Sequence, residues 1–482
     1  MSESSASSYT PNKPSNRRFR IPSNPWLPYI GDCRALTKFL NSKKGVGWLI
    51  PKCLNALLRG VSQVVLANNP LAGLVILIAL FWSDVFVGLA ATVAATTAIL
   101  TAVLMRQDPS SIEAGLTTYN AVLVGTVTSS LWTPLYGEAV GITVWTFIII
   151  GAALSVFVTS AISTILSSLK IPLPALTLPF NVVTILIFIC LMPMNHEHFQ
   201  HNGNASEPVA LRLRGHEPLV ISSNLLHEHH LQHISRQIRS PEDDGVNDNE
   251  PASESSSEAL NWGRILSGIV LSAGQVYGVN NELGSVLIYI GIMIYSPILF
   301  MMSVFGAILG TSTGLFFTEA PYTDIYNGIW GYNGLLSASS VGGFFIVLTC
   351  HSFFNAMVNV IFTVLIQQAL SLALGSLHLP VFTFPFVLST LLFLSVATSG
   401  NQLPRVQNIT FPEMHRYNYR ETRRVKREEK RGQLPIDELP EEKELVLTDV
   451  KVINEETTVA QVEVIAGDSP DDNDTKESQD AE

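Results

Sequence analysis

Two long apolar stretches dominate the chain, and very few charges interrupt them. Residues 61–195 contain six Asp, Glu, Lys or Arg side chains, and residues 260–404 contain four. About 20 apolar residues in a helix are enough to cross the hydrocarbon core of a bilayer. Each stretch therefore predicts about five membrane-spanning helices, and the whole chain predicts an all-α polytopic membrane protein. The predicted spans are centred at about residues 75, 95, 125, 150 and 185, and at about 270, 295, 335, 360 and 390.

The charges collect in the segments that flank these stretches, and their signs differ. Residues 1–60 carry ten Lys or Arg and two acidic side chains, and residues 405–431 carry nine and four. Residues 196–259 carry four Arg and eleven acidic side chains. Lys and Arg beside spans concentrate on the cytoplasmic side of a membrane. We therefore expect both termini in the cytoplasm, the central segment outside, and an odd number of crossings in each half.

The same boundaries divide the chain into five segments. They are a basic cytoplasmic tail (1–46), a first transmembrane repeat (47–195), an extracellular acidic, His-rich loop (196–259), a second transmembrane repeat (260–404) and a cytoplasmic tail (405–482). The final tail is basic and then acidic, with sixteen acids and three lysines in residues 432–482. A segment of that composition cannot bury enough apolar surface to fold, so we expect it to be largely disordered.

A proline-containing signature occurs twice within the apolar sequence. The frame L-P-x-x-T-x-P-F stands at residues 173–180 and again at 379–386. Proline has no backbone N–H and clashes with the carbonyl four residues earlier. The second prolines are therefore expected to leave the carbonyls of Ala175 and Val381 outside a helical ladder. Because irregular backbone in a membrane is tolerated only beside protein or a water-filled cavity, the duplicated signature predicts a permeation path.

Further matches follow in the same order in both halves. Q-V…N-N stretches begin at Gln63 and Gln275, and G-x-x-x-Y-N stands at 115–120 and at 328–333. The shared order favours an internal duplication. Since each half crosses the membrane an odd number of times, the two copies are expected to enter it in opposite directions. Solute sites of such inverted repeats lie near the midplane, where the halves meet.

These duplicated motifs resemble those of the urea transporter family, over about residues 45–410. The resemblance implies a homotrimer in the plasma membrane, with a separate pore in each protomer between two inverted repeats. Each repeat would contain five spanning helices and a tilted, re-entrant half-helix. It also implies passive, channel-like transport of urea without a cofactor, with the signature threonines at the narrow centre.

Thr177 and Thr383, one in each signature, are therefore the candidate central hydrogen-bond acceptors for urea. Urea is neutral and planar, and it has four N–H donors and one carbonyl acceptor, so uncharged hydroxyls suit it. The alternative for a helical threonine is a bond to its own backbone carbonyl four residues earlier. Phe180 and Phe386, which follow the second prolines, are candidates for flat apolar walls of the pore. Ordinary core packing is the alternative for these rings.

Polar residues outside the signatures have separate expectations. Gln63 and Gln275 are candidates for urea binding at the two pore mouths, as the resemblance suggests, although uncharged amides also join neighbouring helices. Asn68, Asn69, Asn280 and Asn281 are expected to cap or break helices. The two Tyr-Asn pairs are expected to support the pore instead of lining it. In the first repeat, Leu66 stands where the family often has an aromatic residue, which predicts looser selection at that mouth.

The central segment is rich in histidine, since eight of the eleven histidines lie between His196 and His233. Their order lacks the helical His-Glu-x-x-His spacing of a zinc hydrolase, and the four scattered cysteines suggest no zinc site, so no metal is expected. Asn204 begins an Asn-Ala-Ser sequon in this loop and is predicted to be glycosylated.

Other functions stay open. A proton-coupled amide transporter would share the inverted repeat but needs an ionisable group within the membrane. A channel for short amides, ammonia or water would need a similar uncharged lining. An enzyme would need a nucleophile and a base within the spans, and apart from His351 beside Cys350 and Ser352 nothing qualifies. We therefore expect no enzymatic activity, and we expect the lipid bilayer, not nucleic acid, as the partner.

Overall fold

The computed structural model describes residues 31–201 and 260–430, with short gaps at 138, 376, 378, 399–401 and 407. The described residues are almost entirely helical, apart from an isolated β-bridge between Ile346 and Arg405. The prediction of an all-α chain is therefore confirmed. The predicted glycosylation site Asn204, most of the His-rich loop and most of both tails lie outside the described residues.

The described helices form two consecutive sets. The first set is α1 (Arg34–Ser42), α2 (Leu49–Gln63), α3 (Pro70–Ser83), α4 (Val85–Leu104), α5 (Pro109–Glu113), α6 (Tyr119–Tyr136), α7 (Ile142–Ser167) and α8 (Leu178–His201). The second set is α9 (Trp262–Gln275), α10 (Glu282–Tyr295), α11 (Pro297–Gly314), α12 (Thr323–Tyr326), α13 (Tyr332–Ser339), α14 (Cys350–Gly375), α15 (Phe384–Leu394) and α16 (Pro412–Lys430).

Among the described helices, α4, α7, α11 and α14 are long and apolar enough to cross a membrane. Shorter apolar segments are α3, α10, α15 and the part Leu178–Cys190 of α8. All of them fall within the two apolar stretches of the sequence. The chain is thus a multi-pass membrane protein, whereas the number of crossings and the sides of the termini stay predictions.

The helices of the two halves correspond in order, α2 to α8 with α9 to α15. The helices α3 and α10 begin at Pro70 and Glu282, and α4 and α11 begin at Val85 and Pro297, so both pairs are 212 residues apart. The side chain of Asn69 caps α3 and that of Asn281 caps α10, as expected. The repetition that the sequence predicts is therefore present in the order and capping of the helices.

The equivalent helices α3 and α10 pack against each other in opposite directions. A Cβ atom added at Gly284 would lie 3.3 Å from the carbonyl oxygen of Ala79, and one added at Gly291 would lie 3.2 Å from that of Ala72. The beginning of α10 thus meets the end of α3. Ala72 and Ala79 are equivalent to Gly284 and Gly291, 212 residues later. The contact between residues 79 and 284 is therefore equivalent to the contact between residues 72 and 291.

The turns that lead into α6 and α13 require glycine at equivalent positions. Gly115 and Gly328 have φ values of +73° and +75°. A Cβ at Gly115 would lie 2.4 Å from the backbone nitrogen of Gly60, and one at Gly328 would lie 2.6 Å from the carbonyl oxygen of Gly268. Glycine is therefore favoured at both positions, because the backbone is left-handed there and lies very close to a neighbouring helix.

Replacing Gly115 with alanine is expected to lower the free energy of unfolding by about 2–4 kcal/mol, from left-handed strain together with overpacking. Gly137→Ala is the matched control, because Gly137 has φ +69° and open space around it. It should lose only the strain contribution of about 1 kcal/mol. Thermal unfolding of the purified variants in detergent measures the difference. Equal losses in both variants would show that the close approach contributes nothing.

The second half departs from the first where α13 ends. Here α13 passes into an irregular π-type turn, Ser340–Phe344, whereas α6 continues to Tyr136. The strand-like segment that follows pairs with residues near the end of the domain. The N–H of Val347 donates to the Pro404 carbonyl, and the N–H of Val406 donates to the Phe345 carbonyl, both at 2.9 Å.

His415 fastens the same region from the start of α16. The backbone N–H of Thr410 donates to its Nε2 at 2.8 Å, and its Nδ1 lies 3.1 Å from the carbonyl oxygen of Gly343. The ring is therefore neutral and donates through Nδ1, and burial lowers the pKa of His415 below its ordinary value. The first compact unit ends at Arg416, within α16, and residues 417–430 of that helix belong to a second unit.

Candidate functional site

The two signature threonines meet where the halves of the chain join. Thr177 Oγ1 and Thr383 Oγ1 are 2.7 Å apart, within hydrogen-bonding distance. Each side chain is 3% exposed. Thr177 directly precedes α8, and Thr383 directly precedes α15. The alternative was a hydrogen bond from each hydroxyl to a backbone carbonyl of its own helix. The described bonds instead join the two hydroxyls to each other and the Thr383 hydroxyl to Asn181.

The signature prolines begin helices and do not break them. Pro179 and Pro385 are the second residues of α8 and α15, where the first turn needs no N–H. The carbonyl of Ala175 precedes α8 and so lies outside the helical ladder. It accepts the N–H of Leu178 at 3.2 Å in the turn before the helix.

A left-handed residue places each threonine, and a tyrosine holds that residue. Leu176 and Phe382, directly before the threonines, have φ values of +50° and +51°. The hydroxyl of Tyr119 donates to the Leu176 carbonyl at 2.6 Å, and that of Tyr332 donates to the Phe382 carbonyl. The asparagine after each tyrosine lies 3.4 and 3.3 Å from the same carbonyls. The duplicated Tyr-Asn pairs thus fix the backbone that presents the threonines.

Asn181 is a polar neighbour of the threonine pair that the motif comparison missed. Its Oδ1 accepts from the backbone N–H and from the hydroxyl of Thr383, each at 3.1 Å. The equivalent residue of the second half is Val387, so a search for duplicated residues passes over Asn181. The available signal was a single amide in the apolar first turn of α8.

The two candidate wall residues are completely enclosed. Phe180 and Phe386 are each 1% exposed. The ring of Phe180 packs edge to face on Phe382 of the other half, with centroids 5.7 Å apart. Phe188 also contacts Phe382, at 5.8 Å. Phe382 was not predicted, and it joins the aromatic packing of both halves directly beside Thr383.

The candidate mouth residues have equivalent bonds in the two halves. Nε2 of Gln63 donates to the Ala114 carbonyl at 3.1 Å, and Nε2 of Gln275 donates to the Asn327 carbonyl at 2.9 Å. Both bonds tie the end of a helix to the residue before the left-handed glycine. The structure joins neither glutamine to the threonine pair by a described hydrogen bond, so their role in binding stays a prediction.

The described part of the site is polar without being charged. Hydroxyls, amides and aromatic rings surround the threonine pair, and this chemistry suits a neutral hydrogen-bonding solute. No group of three or more His, Cys, Asp or Glu residues that could hold a metal occurs within the described residues. The histidines of the predicted outer loop from His216 onward lie outside that part of the chain.

Comparison with known proteins supplies the family. The urea transporter family model matches residues 54–398. The chain is 28% identical to urea transporter 1 of Rattus norvegicus over 399 residues, which cover 82% of this chain and 89% of that protein. It is 29% identical to urea transporter 1 of Capra hircus over 412 residues, with coverage of 83% and 91%. The resemblance seen in the motifs is thereby confirmed: the chain belongs to the urea transporter family, whose members are transport proteins and not enzymes.

Proposed function

We propose that the chain conducts urea passively through a pore between its two halves, with Thr177 and Thr383 as the central hydrogen-bond acceptors. Membership of the family and the names of its relatives support urea as the solute. The observation that carries the proposal is the 2.7 Å contact between the two threonine hydroxyls. It unites the only polar residue of each signature at one buried point.

The two halves form inverted repeats in this proposal, each with about five spans and a tilted half-helix. The antiparallel, self-equivalent packing of α3 on α10 supports it, because a twofold relation within the membrane plane produces such a contact. Residues 47–195 and 260–404 then constitute the repeats, with the glycosylated segment 196–259 outside and both tails in the cytoplasm. The protein assembles as a homotrimer in the plasma membrane.

The remaining candidate residues have consistent roles along such a path. Phe180 and Phe386 flank the threonine pair with flat apolar faces, and Gln63 and Gln275 bind urea at the mouths. Coupling to protons needs an ionisable group within the membrane, and the described hydrogen bonds of the threonine pair involve only hydroxyl, amide and backbone groups. Passive passage of a neutral solute therefore fits the site better than proton-coupled uptake.

Labelled urea flux into proteoliposomes without any ion gradient tests the proposal. The purified native chain should equilibrate urea much faster than empty vesicles, and imposing a proton gradient in a parallel assay should leave the rate unchanged. Flux equal to that of empty vesicles in folded protein would contradict the proposal. Uptake that requires a proton gradient would favour the coupled amide transporter. Parallel measurements with formamide and water define how far the pore admits other neutral solutes.

A further inference from the structure

We infer that Asn181 is a further solute-binding residue, which orients the hydroxyls of the threonine pair and donates its own N–H to the carbonyl oxygen of urea. This inference rests on the proposed function. It assigns a donor to a site for which the signatures offer only acceptors.

The orientation of the Asn181 amide is fixed by a backbone group. Its contact with the nitrogen of Thr383 is 3.1 Å long. A backbone N–H can only donate, so the amide atom facing it must be the carbonyl oxygen. The amide nitrogen, Nδ2, is therefore the end turned away from Thr383 N.

The same oxygen decides the direction of the other hydrogen bonds. The Asn181 oxygen also lies 3.1 Å from Thr383 Oγ1 and can only accept, so the hydroxyl of Thr383 donates to it. The 2.7 Å bond between the threonines then needs its proton from Thr177. Both hydroxyl protons are used, and lone pairs of the two threonines are left to accept N–H groups from a solute.

The amide nitrogen of Asn181 is a buried donor without a partner in the described part of the chain. Its residue is 0% exposed, and Nδ2 forms no hydrogen bond there. Leaving a buried donor unpaired is costly, and native proteins do so rarely. Nδ2 is bonded to the same carbon atom of Asn181 as Oδ1, the oxygen that accepts hydrogen bonds from Thr383. An unpaired donor therefore stands beside two oriented acceptors.

Two more unpaired groups lie in the second turns of the signature helices. Thr184, three residues after Asn181 and so on the same side of α8, and its equivalent Thr390 in α15 are both 0% exposed with unpartnered hydroxyls. Buried polar atoms in need of partners thus continue along both helices from the threonine pair. A solute with a carbonyl and N–H groups supplies the missing partners.

The position equivalent to Asn181 makes the site asymmetric. The side chain of Val387 has no polar atom, so only the first half provides an amide donor at this position. A solute bound to the threonines by its N–H groups would turn its carbonyl toward α8. Urea satisfies the donor with its oxygen, whereas thiourea presents sulfur, a weak hydrogen-bond acceptor.

Urea and thiourea flux through Asn181→Leu and Asn181→Ser in proteoliposomes tests the inference. Both variants remove the amide donor, and serine serves as the second test if leucine prevents folding. We expect urea flux to fall about tenfold and thiourea flux to fall about twofold, because only urea loses a strong hydrogen bond. Val387→Ala, at the equivalent apolar position, is the control and should change the urea-to-thiourea ratio by less than about twofold.

An equal fall for both solutes would overturn the inference and assign Asn181 a purely structural role. Unchanged urea flux in either folded variant would overturn it as well. In both cases the native chain would still conduct urea, so the proposed function would stand. A native chain without urea flux would instead overturn the proposed function and this inference together.

Discussion

Urea flux is expected to fall about tenfold to a hundredfold when Thr383 is replaced by valine. Valine keeps the shape of threonine but has no hydroxyl, so Thr177 loses its hydrogen-bond partner and Asn181 loses one of its two donors. A buried polar group left unpaired costs about 1–3 kcal/mol, and about 1.4 kcal/mol corresponds to a tenfold change in rate. Thr177→Val should have an effect of the same size, because it removes the other acceptor. Flux of labelled urea per reconstituted protein measures both.

Thr164→Val is the matched control for these substitutions. Thr164 is exposed on α7, and its hydroxyl donates to the Ser160 carbonyl of its own helix at 2.9 Å. The same chemical change there should leave urea flux within about twofold of the native rate, because an exposed bond of this kind contributes little. Native flux in folded Thr177→Val or Thr383→Val would remove the threonine pair from the path. A comparable loss in Thr164→Val would show that the effect is not specific to the pair.

The meeting of the two threonines could be anticipated from the sequence because both signatures are copies of one segment. When a duplicated segment forms a site at the junction of its copies, the same residue of each copy reaches the junction. The corresponding helices and the two left-handed glycines are predictable for the same reason. Repetition in sequence is thus informative wherever both halves have the same local role.

Residues without a counterpart in the other half were missed for that very reason. Asn181 stands opposite Val387, and its importance depends on a bond to Thr383 that only the folded chain reveals. The start of α8 could not be placed from the signature alone, because a proline in the first turn of a helix replaces an N–H that has no helical partner. Position within the helix, which the signature alone does not give, decides what the proline does.

The segments that flank the apolar halves show a second kind of asymmetry. Arg59, in the buried part of α2, stands where the second half has Leu271. Its guanidinium donates to the Asp32 carbonyl and to the Thr37 hydroxyl, both at 2.9 Å. It also reaches the backbone carbonyl and the side chain of Asn68, at 2.9 and 2.6 Å. One buried cation therefore fastens the polar N-terminal segment to the helical domain, through both backbone and side-chain acceptors.

Gly31 and Asn69 complete this attachment from the other side. The side chain of Asn69 donates to the Gly31 carbonyl at 2.6 Å. A Cβ at Gly31 would lie 2.3 Å from the ring of Phe411, so the N-terminal segment also meets residues that follow the last apolar helix. Both flanks of the apolar sequence are thereby fixed at the same end of the helical domain. Loss of Arg59 should loosen the N-terminal flank first.

Arg59→Leu is accordingly expected to reduce the free energy of unfolding by about 2–4 kcal/mol, since several acceptors, including the carbonyls of Asp32 and Asn68, lose a charged donor. In thermal unfolding of the detergent-purified protein this should lower the Tm by about 5 °C or more. Trypsin should also cleave at Arg34 and Lys38 faster than in the native chain, because α1 loses its anchor. Arg420→Leu makes the same change at an exposed arginine and should alter neither measurement. An unchanged Tm together with native resistance to trypsin would mean that Asn69 and the packing of Gly31 on Phe411 hold the segment without the cation.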